Sequence, residues 1–189
     1  MVKLYSNFNI NKNHKQSIIL IGNFDGVHLG HQKLFKLAQS YKKKYNLKIG
    51  VINFDPMPKM FFNKFLTNFR LSSINQKLVL LNNQGVDFVV TKKFDKNFSK
   101  TKSVNFIKDI LSKKLNARFI FVSNNFRFGN KREGDVNLLI QNQKRFNFKV
   151  VKPKPLLLTR RIVSSSLIRS YLEKGFLEEA NKLLNRSWS

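Results

Sequence analysis

The sequence contains no cysteine. That excludes disulfides, thiolate metal sites and a cysteine nucleophile, and it suits a reducing compartment. No apolar run approaches membrane-spanning length, and no uninterrupted hydrophobic region precedes a cleavage site near the N-terminus. A membrane partner and a secretory signal are therefore not expected, and the expected location is cytoplasmic. Internal repeats and an interdomain linker are also lacking. Acidic residues are scarce, ten Asp and Glu against 36 Lys and Arg, for a formal net charge of +26 over 189 residues.

What is present is a globular composition. Hydrophobic residues make up 42% and phenylalanine alone numbers 19, enough for the buried core of one α/β domain with a small inserted lobe. The basic residues are spread along the whole chain among many Asn, Phe and Ile, types that share A/T-rich codons with Lys, so coding bias accounts for much of the charge. A polyanionic small-molecule substrate fits the charge equally well. Specific nucleic-acid recognition is not required by it, although a non-catalytic basic nucleic-acid-binding module remains the competing reading that charge alone suggests.

The most informative stretch runs from Ile18 to His31. Ile18-Ile19-Leu20-Ile21 is wholly apolar, the pattern of a strand buried on both faces of a parallel sheet. Gly22, Gly26 and Gly30 follow, and then Leu34, Leu37, Ala38 and Tyr41 recur at helical spacing. A strand that feeds a glycine-bearing turn and a helix offers free N–H groups and a positive dipole end to an anion. His28 and His31, three residues apart at the helix start, can both face that anion, and Gly30 leaves room for a phosphate to approach the backbone. Two such histidines also occur as a surface pair or a chance metal site. The glycines and the buried strand favour the anion site, and no protein metal ligands are expected. H-x-G-H is the signature of the nucleotidylyltransferase superfamily, whose members transfer a nucleotide monophosphate from an NTP to an acceptor.

Along the chain, Val2–Tyr5 is read as an edge strand. Strands are expected at Lys48–Phe54, Val86–Thr91, Arg118–Val122 and Phe148–Lys152. Helices are expected after Ser72 or Ser73 and closing at Gly85, after Ser103 as cap, over 135–146, from the Ser164–Ser166 run, and over 177–184 beyond a break at Gly175. Lys59–Phe69 has no clear period, and Lys92–Thr101 is read as a loop. Strand–helix alternation with short joins predicts an open, mainly parallel sheet with helices on both faces, its ligand beyond the carboxyl ends of the strands.

Four stretches in order carry a closer resemblance: Ile21–Gln32, Asn53-Phe54-Asp55-Pro56-Met57-Pro58, Asn125-Phe126-Arg127-Phe128-Gly129, and Val163-Ser164-Ser165-Ser166-Leu167-Ile168-Arg169. Together they resemble the FMN adenylyltransferase module of the bacterial FAD synthetases, as does Ala180–Arg186, and the likeness extends over essentially all of the chain. The resemblance implies a Rossmann-like nucleotidylyltransferase fold, residues 1–189 as one such domain with a small flavin-side lobe near 55–70, and ATP and FMN as substrates with Mg²⁺ accompanying ATP. It does not include the family's riboflavin kinase module, which would begin just after Trp188. His28, His31 and Arg169 are then the expected catalytic groups. Gly22, Asn23, Phe24, Asp25, Gly26, Gly30, Ser164, Ser165 and Ser166 are expected at ATP. Phe54, Asp55, Pro56, Phe62, Asn125, Phe126 and Phe128 are expected at the flavin, Asn125 toward its phosphate or ribityl chain and Phe62 and Phe128 against its ring.

Plainer readings stand beside these. A serine of the 164–166 run caps a helix, Asp25 and Asp55 cap turns, and most of the phenylalanines belong to the core. The sequence departs from the family at Met57, where many relatives carry His, at Ser123, where Gly is common, and in its Asn185-Arg186-Ser187-Trp188 ending. The alternative enzyme class is an adenylyl- or cytidylyltransferase with another phosphorylated acceptor.

Overall fold

The computed structural model describes residues 2–67 and 69–188. Its first half runs β1 (Lys3–Tyr5), β2 (Ile18–Ile21), α1 (Leu29–Tyr45), β3 (Ile49–Asp55), α2 (Pro58–Phe62), α3 (Ile74–Asn83) and β4 (Phe88–Lys93). Next come α4 (Lys96–Ser99), α5 (Ser103–Asn105), which widens into a π-helical run over Phe106–Lys114, then β5 (Phe119–Phe121), β6 (Arg127–Phe128) and β7 (Gly134–Asp135). The rest is α6 (Val136–Gln141), α7 (Gln143–Phe146), β8 (Lys149–Val151), β9 (Leu157–Leu158), β10 (Arg161–Ile162), α8 (Ser165–Glu173) and α9 (Leu177–Leu184).

Six strands form one parallel sheet in the order β1-β4-β3-β2-β5-β8. The apolar run β2 lies inside it, with Leu20 opposite both Val51 and Phe121, and all four residues are buried. Side chains of a strand alternate between faces. Ile19 and Ile21 accordingly join Ile52, Val90, Ile107 and Leu111 on one side, while Ile18 and Leu20 join Val51, Phe35 and Ala38 of α1 and Leu81 of α3 on the other. A third cluster packs α8 and α9 through Ile168, Ala180 and Leu184 against Leu71 and Val163. Because β3 and β5 flank β2 on opposite sides, the chain reverses its direction of travel there. The sheet therefore opens a crevice beyond the carboxyl end of β2.

Local chemistry explains the ends of the elements. Ser73 forms a full capping box with Gln76: its hydroxyl accepts from Gln76 N at 3.2 Å and its own N–H donates to Gln76 Oε1 at 2.8 Å. Several expectations need correction. Ser103 does not cap its helix; the Ser103 N–H instead donates to Glu133 Oε1 at 2.6 Å, a carboxylate thirty residues on. The expected loop over 92–101 contains α4, capped by Asp95. The expected helix over 135–146 is split at Asn142. The hairpins β6–β7 and β9–β10 were not foreseen, since two-residue strands are too short to show alternation.

Candidate active site

The crevice floor is the turn after β2. Gly22 N–H bonds Ile52 O at 3.1 Å, Phe24 turns left-handed (φ 48°), and Asp25–Val27 forms one 3₁₀ turn before α1. Gly26 has φ 76°, a conformation that side chains resist. Asp25 is the hub of this turn. Buried to 2% exposure, its carboxylate accepts from Leu71 N at 3.0 Å, from Ser72 N at 3.3 Å and from Arg169 NH2 at 2.6 Å. Its main-chain oxygen accepts from Ser165 Oγ at 2.9 Å. Ser72 Oγ in turn accepts from Gly26 N at 3.3 Å. Asp25 thus binds the turn to residues 69–72 and to α8.

His28 and His31 are brought together. Their rings stack at 3.7 Å between centroids, and Phe24 lies edge-on to His31 at 5.1 Å, itself buried against Phe35. Both Nδ1 atoms are buried without a partner. Burial pushes the His28 pKa down to about 4 against the opposing pull of Asp25. Burial, the adjoining His28 and Lys77 hold His31 well below its ordinary value. Both imidazoles are therefore neutral at pH 7, each with one N–H to donate. Gly30 has a packing role besides the one read from sequence: a Cβ there would sit 3.1 Å from His28 Cε1 and 3.1 Å from Val163 O. Its absence lets Val163, just before α8, lie against the start of α1, so that two helix starts, each with free N–H groups, come close together.

At α8, Ser164 is the cap, accepting from Leu167 N at 3.2 Å. Ser165 is committed to Asp25, and Ser166 is exposed. Arg169 is held at both ends of its guanidinium, by Asp25 and by Phe69 O at 2.6 Å from Nε, and it lies 3.8 Å over the Phe69 ring. Arg186 and Trp188 also reach this part of the structure. Arg186 NH1 donates to Gly26 O at 2.7 Å, and Trp188 Nε1 donates to Leu71 O at 3.0 Å.

The residues expected at a flavin split into two groups. Phe54 packs on Phe94 and Phe98, and the exposed Phe62 packs on Phe61 and Phe94, so an aromatic wall stands at the carboxyl ends of β3 and β4. Asp55, beside Pro56, pairs with Arg70. Met57 is buried at the start of α2. Phe126 and Phe128 stack at 5.4 Å and are linked to Phe54 through Phe106 and Phe98 in one cluster, but Phe128 is a core residue at 8% exposure. Asn125 is exposed, and Ser123 donates its hydroxyl to Asn125 Oδ1 at 2.9 Å. A concavity of about 410 Å³ adjoins Asn125, Phe126, Arg132 and Lys152.

Several neighbours were not singled out from sequence. Phe61 and Phe94 complete the wall, and only the position of Phe94 just past a strand end signalled it. Asn53 at the end of β3 is buried with Oδ1 unpartnered. Lys77 on α3 is 6% exposed. A larger concavity, about 790 Å³ between Tyr41, Tyr45, Phe119 and Lys149, lies at the amino ends of the strands. It holds none of the unpartnered buried side-chain atoms. The carboxyl-end crevice is the chemically equipped one.

Two helix starts, a neutral imidazole pair and an aromatic wall at the switch point of a parallel sheet define a nucleotide-binding α/β site. Residues 10–167 match the family described as FAD synthetase. The bifunctional riboflavin kinase/FMN adenylyltransferase of Buchnera aphidicola subsp. Schizaphis graminum is 40% identical over 182 residues, which is 96% of this chain and 58% of that protein. The Escherichia coli K12 protein of the same description is 35% identical, with 91% and 55% covered. The FAD synthetase of Listeria monocytogenes is 31% identical, with 94% and 72% covered. The chain thus spans little more than half the length of the bifunctional relatives.

Among solved structures, a Streptococcus pneumoniae protein described as a macrolide-efflux protein superposes with TM-score 0.85 at 24% identity, over 99% of this chain and 60% of that one. A Francisella tularensis pantoate-beta-alanine ligase reaches 0.56 at 15% identity, over 98% and 85%. At such identities these two share the fold. The chain belongs to the FAD synthetase family.

Proposed function

We propose that this chain is an FMN adenylyltransferase that transfers AMP from ATP to FMN, yielding FAD and pyrophosphate, with residues 1–189 acting as one unit and 55–70 as its flavin-side lobe. A phosphate oxygen of FMN attacks the α-phosphorus of ATP as the α–β bridging P–O bond breaks. The attacking oxygen is already ionised, so no general base is needed. The requirement is in-line positioning and donors aimed at the leaving charge. The observation that carries this reading is the convergence of the α1 and α8 starts on the stacked, unpartnered His28 and His31.

In this reading Gly22–Gly26, Gly30 and Ser164–Ser166 shape the ATP cradle. Arg169 holds its frame through Asp25 and offers residual donors to phosphate. The wall of Phe54 and Phe62 faces the isoalloxazine, while Asn125 and Phe126 take the ribityl phosphate side. Phe128 supports Phe126 from the core. No cluster of three or more His, Asp, Glu or Cys suited to a metal occurs among the described residues, and Asp25 and Asp55 are both engaged by arginines. In this reading Mg²⁺ accompanies the nucleotide and would neutralise phosphate charge there. ATP and FMN as substrates and a cysteine-free chain fit the cytoplasm, without nucleic acid or membrane as partner.

Purified chain with FMN, ATP and Mg²⁺ should give equimolar FAD and pyrophosphate by chromatography. His31→Ala should lose about 10²–10³ in rate, as expected for one pre-aimed donor, with FMN binding retained. Absence of FAD from the wild type, with ATP still bound, would refute the choice of acceptor.

A further inference from the structure

Four cations surround the Asp25 turn, and three of them have visible business. Arg169 pairs with Asp25, Arg70 pairs with Asp55, and Arg186 spends its donors on Gly26 O and Leu184 O. Lys77 is the exception. The residue is 6% exposed, yet no hydrogen bond or ion pair of its side chain is found among the described residues, and its Nζ is not among the fully buried unpartnered atoms, so the stem is buried while the tip keeps access to the crevice. It sits one turn into α3, on the element that packs against the 3₁₀ turn of Asp25–Val27, just beyond the Ser72 hydroxyl that holds Gly26 N. Its electrostatic neighbours are Asp25, Arg70 and Asp55, and it acts in turn on His31.

A lysine drawn this far into the fold without a hydrogen-bonded counter-ion is a costly feature to retain. Both nearby carboxylates are already neutralised by arginines, so neither is its permanent partner. Lys77 is a further donor whose charge acts on His31, and the Nδ1 atoms of the imidazole pair are also unpartnered. A charge kept in that position is complementary to an anion that is not part of the chain.

We propose that Lys77 is a substrate-contacting residue of this site, its ammonium binding a phosphate oxyanion next to His31. This rests on the adenylyl-transfer reading for the identity of the anion, which is either the oligophosphate of ATP or the phosphomonoester of FMN. The ammonium acts as a hydrogen-bond donor; burial lowers its pKa, and a bound oxyanion would favour the charged form.

The test compares wild type, Lys77→Met and Lys77→Arg by calorimetric titration with inorganic pyrophosphate, MgATP and FMN, alongside urea unfolding of the unliganded proteins. Lys77→Met keeps the length of the side chain and removes the buried charge. It should bind the anion about 10- to 100-fold more weakly, the range for one charge-assisted hydrogen bond, while its urea midpoint stays level or rises. Lys77→Arg should recover part of the affinity. Loss toward pyrophosphate and MgATP assigns Lys77 to the oligophosphate, and loss toward FMN alone assigns it to the acceptor phosphate. Wild-type affinity for all three probes in Lys77→Met overturns the proposal, as does a fall in urea midpoint with affinities unchanged, which marks a purely structural lysine. FAD formation separates the two claims. A wild type that makes no FAD but binds pyrophosphate through Lys77 sinks the transfer reading alone, and a wild type that makes FAD while Lys77→Met binds normally sinks this one alone.

Discussion

Asp25→Asn is the substitution for which the site makes the sharpest demand. Asn is nearly isosteric and keeps one oxygen for the Leu71 and Ser72 N–H groups. The other position becomes an NH₂ facing the Arg169 guanidinium, donor against donor. In the native pair the side chains are 3% and 15% exposed, so water cannot readily replace the lost carboxylate. Breaking one partner of a buried pair costs about 3–5 kcal/mol, because the survivor is left charged and unpaired. With a urea m-value of roughly 2 kcal/mol/M for a domain of this size, the midpoint should fall by about 1.5–2.5 M. Arg169→Met in the same chain removes the orphan charge, so the double variant should be more stable than Asp25→Asn alone. Urea unfolding followed by tryptophan fluorescence reads this directly, since Trp188 bonds Leu71 O beside the pair. A midpoint within about 0.3 M of wild type would refute the argument. It would mean that residues 69–72 are held by packing and the carboxylate is incidental.

Other outcomes follow from the same geometry. The folded His28 has its pKa lowered from 6.5 to about 4, so the unfolded chain binds more protons between those values and stability is lost as pH falls from 6.5 toward 4. The loss is roughly 2–3 kcal/mol by pH 4.5, and His28→Gln should flatten the wild-type difference in urea midpoint between pH 7.5 and 4.5; an unchanged pH dependence would contradict it. Gly30→Ala gains up to about 1 kcal/mol of helix propensity but forces Val163 O or His28 to give way, since its Cβ would lie 3.1 Å from each. Its thermal midpoint should stay near wild type while FAD formation drops by about tenfold or more, on the principle that small misplacements of a catalytic group cost disproportionately. A variant fully active at wild-type stability would show that the close approach is unnecessary.

What the sequence made legible, it did through contiguous residues. The Ile18–Ile21 run specified a central strand because no exposed position could hold four such residues in a row. Ser73 and Gln76 stand three apart and close their box locally. His28 and His31 face one another because one helical turn puts them there. The cradle around them is different in kind. Asp25 reads as a turn residue, yet its partners are 46 and 144 positions away. Lys77 sits among leucines and asparagines in an ordinary amphipathic pattern, and only the packing of α3 on the Asp25 turn makes it a buried charge. Ser103 looked like a cap for the same reason that Glu133 could not: a cap supplied from thirty residues away leaves no spacing to read.

The division has a physical logic that bears on function. The imidazoles are positioned by the rigid start of α1, so local sequence suffices to place them. Around them, Leu71, Ser72, Arg169, Ser165 and Arg186 are fastened to the buried carboxylate of Asp25 and to the carbonyls of Asp25 and Gly26. Loosening that turn would displace the groups around the imidazole pair together, whereas Met57 at the start of α2 and Ser123 beside Asn125 make none of these contacts.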